Sequence, residues 1–328
     1  MQGMPDPLAL IDDLLEILVV PSFTRTGFAI RRRLFVWTAA SSSSMVGRTV
    51  VITGPTSGLG REAAGSFARM GARIVLVGRD AGRLEQTAAE LLGETPGSPI
   101  CTIVADMSSL ASVRAGADRI LGEEPRIDVI VDNAGAMFAE RHVTPEGFER
   151  TFATMVLGPF VLMARLIPRL AESPDARIVG VTSGGMYTQA LPIDDLGFKR
   201  GNYDGPRAYA RAKRAQVALI REWARRLRDR GIVANAMHPG WADTPGLEAS
   251  LPGFRHLVGG LLRTPAEGAD TTVWLVAADK GREMTGRVFL DRRPRPFDRL
   301  PSTRLSIADR RKLWDLVVMM TGESEPTD

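Results

Sequence analysis

The octapeptide Thr53–Gly60, TGPTSGLG, lies between the apolar run Thr49-Val-Val-Ile-Thr53 and an amphipathic stretch whose Leu59, Ala63, Ala64, Phe67 and Ala68 share one face. That stretch stops at Gly71 and is followed by a second apolar run, Arg73-Ile-Val-Leu-Val77. Two short apolar runs around a stretch of helical period predict strand, helix and strand, in the length that a parallel pair requires. Gly54 permits the tight turn, Gly58 lets the backbone come close to a pyrophosphate, and Gly60 lets the helix lie near its strand. Negative charge is favoured at the helix N-terminus that follows. A glycine cluster by itself is equally a plain turn. In this setting it predicts a nucleotide site, with Thr53, Ser57 and Leu59 completing the loop.

Five further β-branched runs, at 101–105, 128–131, 177–182, 232–237 and 287–290, alternate with helical patterns. Seven such strands, two of them near-continuously apolar, predict an α/β protein with a doubly wound parallel sheet and helices on both faces. A chain of 328 residues, 44% hydrophobic and 24% charged, suits one such domain with appendages. The expected organisation is an N-terminal helical extension (1–45), the main domain (46–295), and a C-terminal helix with a polar tail (296–328). Phe152 to Ala164 is the most apolar helix and is expected to be buried or to face another subunit. Ser306 to Met320 predicts a terminal amphipathic helix with Leu313, Trp314, Val317 and Val318 on its apolar side. In the extension, Leu8–Val20 and Phe28–Trp37 predict two amphipathic helices, and Ser41–Ser44 a linker. Apolar and aromatic groups beside three arginines suit an acidic membrane surface, or docking on the chain's own domain or a partner subunit.

Several function classes are excluded by composition. The net charge of +4 is scattered without a basic block, which argues against nucleic-acid binding. One cysteine, Cys101, permits no internal disulfide and fits a buried thiol in a reducing cytoplasm. His142, His238 and His256 have no partners at zinc-ligand spacing, so no metal is expected. No apolar stretch of about 18 residues is present to span a bilayer, and the N-terminus lacks the order of a signal peptide.

Tyr209 and Lys213 stand four apart in a strong helix sequence, so both project from one face. An adjacent ammonium favours the phenolate and brings a tyrosine's proton affinity toward neutral pH. Such a tyrosine can exchange a proton with a carbonyl or an alcohol. On a solvated helix the same pair is commonplace; downstream of the glycine turn it points to chemistry.

With these motifs in order, the chain resembles the short-chain dehydrogenase/reductase family over residues 46–295. TGPTSGLG matches the cofactor turn, and Asp132-Asn133-Ala134-Gly135 resembles the family's Asn-Asn-Ala-Gly. Ser183 ends its strand where the family has a catalytic serine, Tyr209 and Lys213 match Tyr-x-x-x-Lys, and His238-Pro239-Gly240 with Thr244 resembles the segment that closes over nicotinamide. Within the family, Thr182–Met186, His238–Gly246 and Asp291–Pro294 resemble the group called SDR family member 12. The resemblance implies a single Rossmann-like domain and an oxidoreductase in which Ser183 hydrogen-bonds the reacting oxygen, Tyr209 exchanges the proton and Lys213 holds the ribose. It also implies a homo-oligomer. The separation of Ser183 and Tyr209 makes 186–203 an insertion bordering the site.

Gly78-Arg79-Asp80 follows the second strand, where an acidic residue would bind the ribose of NAD(H) and an arginine would pair with a 2′-phosphate. Arg79 favours NADP(H); the alternatives are a surface cation at Arg79 and a ribose contact from Asp80. Asp106 matches the family's adenine-side carboxylate, or else caps the helix after Ser108. One departure stands out: Met155 occupies the position of an asparagine that steadies a helix kink, whose main-chain carbonyl holds a water against the lysine. Methionine keeps the carbonyl and loses the side-chain bonds, so the alternative function is a cofactor-binding protein with weakened or lost catalysis. A one-residue slip would bring Thr154 there instead. After Thr244, the residues Leu247, Leu251, Phe254, Leu257, Val258, Leu261 and Leu262 recur among glycines. They predict a lid over an apolar carbonyl or alcohol, or else core or subunit contact.

Overall fold

The runs rich in Val, Ile and Ala pair into one sheet because both of their faces are apolar and must be covered. In the computed structural model, which describes residues 7–38, 44–250 and 252–323, seven parallel strands form that sheet. They are β1 (Thr49–Thr53), β2 (Arg73–Gly78), β3 (Ile100–Val104), β4 (Val129–Asp132), β5 (Arg177–Val181), β6 (Val233–Met237) and β7 (Val288–Leu290). Their order is β3-β2-β1-β4-β5-β6-β7, with an eighth strand, β8 (Arg293–Arg295), antiparallel on the far edge. The order reverses between β1 and β4, and the crevice at the strand ends there is where such sheets bind ligands.

The extension forms α1 (Pro7–Ile17), α2 (Val19–Phe23) and α3 (Arg25–Leu34). Helices α4 (Gly58–Arg69) and α5 (Ala81–Glu94) cover one sheet face, and α6 (Leu110–Glu123) the other. A short α7 (Arg150–Phe152) runs through a π-turn, Ala153–Leu157, into α8 (Gly158–Leu170), which packs beside α6 together with α9 (Gly205–Arg226). After β6 come α10 (Pro245–Ser250), α11 (Pro252–Val258) and α12 (Pro265–Ala277), the last lying against α4. The terminal α13 (Ile307–Thr321) sets Trp314 against Trp223 and Phe160, with ring centroids 4.5 and 5.0 Å apart.

All seven expected strands are present; β8 is the one the sequence did not suggest. Its two-residue connection, Asp291-Arg292, has φ of 55° and 59°, a left-handed pair that usually calls for Asn-Gly. Asp291 is fixed there by buried bonds to Arg263 (2.6 Å) and Arg31 (2.7 Å). Residues 150–170 are long and apolar enough to cross a membrane, but 83% of that window is buried, as expected for a core helix. Of the expected linker, residues 41–43 lie outside the described residues, as do most of the polar tail and Leu251 of the expected lid.

The extension has three helices instead of two, and it docks on its own domain. Arg31 is fully buried and binds Asp12 at 2.6 Å, Asp291 at 2.7 Å and Glu16 at 3.0 Å. Asp12 in turn takes Arg293 and Arg295, each at 2.8 Å. The polar side of α1 therefore faces inward, and its apolar side, with Leu14 63% and Ile17 75% exposed, faces outward. Burial opposes ionisation of Asp12 and Asp291, yet their arginine partners hold both below the ordinary carboxylate range. Their contribution is complete above about pH 4 and fades as pH falls through the depressed values.

Replacing Arg31 with Ala takes one arginine partner from each of the buried carboxylates Asp12 and Asp291 and is expected to cost about 3 kcal/mol, the lower end for a broken buried pair, read as a lower urea midpoint. An Arg31→Ala midpoint equal to wild type would show that the node carries no stability.

Candidate active site

The turn after β1 owes its shape to its glycines. Gly54 and Gly58 have φ of 64° and 53°. A methyl at Gly60 would collide with the Gly54 carbonyl and the Asn133 amide, so α4 starts as close to β1 as a side-chain-free residue allows. Across the switch point, the Thr53 hydroxyl accepts the backbone N–H groups of Asn133 (3.0 Å) and Ala134 (2.9 Å). The Asn133 amide donates to the carbonyls of Thr53 (2.9 Å) and Gly54 (3.0 Å). Thr53 and Asn133 thus build the cradle wall, with their side chains turned to each other's backbone.

Thr244 closes on the glycine turn, since a methyl at Gly58 would lie 3.1 Å from its Cγ2. Ser57 is the residue before α4, and Leu59 reaches toward Gly268 of α12. Arg79 is exposed at the end of β2 and has no ion-pair partner among the described residues. Its neighbour Asp80 is committed as the cap of α5, accepting from Arg83 N at 3.0 Å. Asp106 accepts both the N–H and the hydroxyl of Ser108 at 2.8 Å, so one oxygen serves the turn into α6. Gly240 has φ of 70°, and Pro239 accepts from Arg263 at 3.1 Å. His238 is fully buried, and desolvation followed by the nearby Arg263 charge lowers it to about 3, so it is neutral at physiological pH.

Ser183, Tyr209 and Lys213 come together below this crevice. The 3-10 turn Gly184–Tyr187 begins at Ser183, whose hydroxyl accepts from Gly185 N at 3.3 Å and lies near the Tyr209 phenol. Contrary to the expectation from the four-residue spacing, burial pushes the phenol above its ordinary value, and it is the nearby Ser183 hydroxyl, not Lys213, that pulls it back in part. One turn on, Lys213 Nζ donates to the Val181 carbonyl at 2.8 Å and lies 5.9 Å from the Tyr209 ring. Burial lowers Lys213 to about 8, against the opposing pull of Asp132. A methyl at Gly135 would be 3.4 Å from Lys213 Nζ, so the glycine leaves that ammonium room.

Met155 sits fully buried in the π-turn, so the bend at the family's asparagine position is present without that side chain. Thr154 does not take its place: its hydroxyl donates back to the Arg150 carbonyl at 2.7 Å. In the expected lid, α11 sets Phe254 edge-on to Trp241 at 5.0 Å and Leu262 is buried, but Leu261 is 45% exposed. The apolar residues there do not share one inner face. The 186–203 insertion buries Met186, Tyr187, Leu191 and Phe198 against the domain. Cys101 is half-buried, and desolvation followed by hydrogen bonding to Glu124 pushes it up to about 12, an unreactive thiol. Among the described residues no cluster could hold a metal.

One contribution was not suggested by the sequence. Phe23 of the extension stands 4.6 Å from the His238 ring, and a methyl at Gly184 would strike its ring. Its carbonyl accepts from Trp241 N at 2.7 Å.

Residues 48–252 match the family described as short chain dehydrogenase. This chain belongs to the short-chain dehydrogenase/reductase family. It is 39% identical over 274 residues to dehydrogenase/reductase SDR family member 12 of Bos taurus, covering 83% of this chain and 85% of that one. It is 35% identical to retinol dehydrogenase 14 of Homo sapiens, covering 85% and 87%. A short-chain dehydrogenase from Escherichia coli CFT073, solved in complex with NADPH, superposes with a TM-score of 0.63 at 25% identity, covering 77% of this chain and all of that one. The family is one of oxidoreductases with a nicotinamide cofactor, and the likeness to SDR family member 12 read from three segments is borne out.

Because Gly60 has no room for a side chain, Gly60→Ala is expected to abolish stabilisation by NADPH, measured as the loss of the ligand-induced shift in melting temperature. An unaltered shift would contradict the cradle.

Proposed function

We propose that the protein is an NADP(H)-dependent oxidoreductase acting on an apolar ketone, aldehyde or alcohol. The observation that carries this reading is the convergence of Ser183, Tyr209 and Lys213 beneath a glycine cradle with no room for a side chain at Gly60. A bound nicotinamide would supply or accept the hydride. Residues 53–60, 133–135, 239–240 and 244 would hold that cofactor. Ser183 orients the substrate oxygen by hydrogen bonding, and Tyr209 gives or takes the proton there. Lys213, charged below about pH 8, binds ribose hydroxyls beside that tyrosine.

NADP(H) is favoured because Arg79 is exposed and unpaired while Asp80 is tied to its helix cap. NADPH binding by the E. coli relative supports the choice. An apolar substrate suits the apolar side chains after Thr244, and retinol, named for the human relative, is an apolar alcohol. The π-turn at Met155 favours an active enzyme over one whose chemistry has lapsed.

The outward apolar face of α1 favours one further element. Leu14, Ile17 and Leu18 are 63%, 75% and 57% exposed, and Arg25, Arg32 and Arg33 are exposed on the neighbouring α3. Each half-exposed leucine forgoes roughly 1 kcal/mol of burial, and apolar groups flanked by arginines fit an acidic lipid surface. The protein is read as cytoplasmic, touching a membrane peripherally through its extension.

Titration with each nucleotide should show NADPH bound more tightly than NADH, with the preference lost in Arg79→Ala; equal affinities in wild type would overturn the NADP(H) assignment. Tyr209→Phe should lower turnover of apolar carbonyls by about 10²-fold or more while NADPH binding stays intact. Undiminished turnover would refute its role. Leu14→Glu/Ile17→Glu should reduce co-sedimentation with phosphatidylserine-containing vesicles, and partitioning equal to wild type would remove the membrane from the reading.

A further inference from the structure

Asp132 replaces the first asparagine of the family's Asn-Asn-Ala-Gly and closes β4 directly beside the site. It is 1% exposed. Its Oδ2 accepts a 2.6 Å hydrogen bond from Gln216 Nε2, and Gln216 Oε1 accepts from Lys213 Nζ at 3.3 Å. The amide thus joins a buried carboxylate to a buried ammonium, one on the sheet and the other on α9. The other carboxylate oxygen, Oδ1, has no protein partner. An uncompensated buried carboxylate is costly, and an opposite charge is what offsets that cost.

The groups facing Lys213 come from four sides. From β5 come the Val181 carbonyl and, just beyond the strand, the Ser183 hydroxyl; α9 contributes Tyr209 and Gln216; β4 contributes Asp132; the π-turn offers only the uncharged Met155 thioether, next to Gly135. A thioether is a weak acceptor and cannot hold an ammonium as an amide or carboxylate does. Asp132 therefore supplies the one carboxylate in this set, where the family's Asn-Asn-Ala-Gly has a neutral amide.

We propose that Asp132 is a positioning residue that, through Gln216, holds the Lys213 ammonium in place beside Tyr209. The proposal rests on the reading that Tyr209 exchanges the proton. The electrostatics agree with the geometry. Burial raises Asp132 to about 6 and lowers Lys213 to about 8, each offset by the other's charge, so the two are ionised together between those values.

Lys213 is one of four lysines, with Lys199, Lys280 and Lys312, so its Cε resonance can be followed by NMR in protein carrying 13C-lysine and assigned with Lys213→Met. In Asp132→Asn, which restores the family residue, the Lys213 midpoint is expected to fall by about one pH unit or more. Gln216→Met, which keeps the charge and removes the bridge, should give a smaller fall. The alkaline limb of turnover should move to lower pH with Asp132→Asn by the same amount. A Lys213 midpoint unchanged in a folded Asp132→Asn protein overturns the proposal whatever the activity. If Asp132→Asn fails to fold, an unchanged midpoint in Gln216→Met overturns it instead. Absence of turnover in wild type at every pH would fail the oxidoreductase reading alone, because the NMR titration still decides the role of Asp132.

Discussion

The hydrogen bonds between Thr53 and the Asn133-Ala134 backbone tie β1 to β4 at the point where the strand order reverses. Parallel strands that diverge there leave a crevice, and without a clamp its walls would be free to spread. One hydroxyl accepting two amides, and one amide donating to two carbonyls, fixes the width of the opening with neutral groups. The glycine turn, the closing Thr244 and the lysine beside Gly135 are placed relative to that clamp. The cradle is thus a property of two strand ends more than of the loop itself.

A second constraint comes from the opposite edge of the sheet. Asp291 sits in a left-handed turn and binds two arginines from distant parts of the chain, Arg31 and Arg263. Such a backbone conformation costs free energy for a residue with a side chain, and the two buried ion pairs hold it in place. Arg263 passes the constraint on to the Pro239 carbonyl, and so to the segment bordering the crevice.

What could be read in advance was what is local. The glycine turn, the seven apolar runs and the shared helix of Tyr209 and Lys213 are each legible within a few positions and take the local structure expected, whereas the tyrosine's raised proton affinity depends on burial that the spacing does not reveal. The hidden features depend on partners remote in sequence. Helix α1 reads as ordinary amphipathic, and its inversion follows only from Arg31, Arg293 and Arg295 claiming Asp12 and Glu16. β8 was hidden by an Asp-Arg turn that no local rule favours. Asp132 in the sequence is a near-match to an asparagine, and its link to Lys213 through Gln216 arises only when the fold brings β4 against α9. The π-turn shows the reverse: the bend survives the loss of the side chain thought to steady it, since Gly158 packs against Met107 too closely for any larger residue.

The docking of α2 has a practical consequence for how the domain is bounded. The carbonyls of Ser22 and Thr24 accept from Arg263, and that of Phe23 from Trp241 N. Three successive main-chain oxygens of the extension therefore act as acceptors for the segment that flanks the crevice. A chain beginning only at residue 48, where the family match starts, would expose the phenyl-sized hollow beside Gly184 and take two carbonyl acceptors from the buried Arg263 guanidinium. The packing of the domain thus reaches well upstream of its first strand.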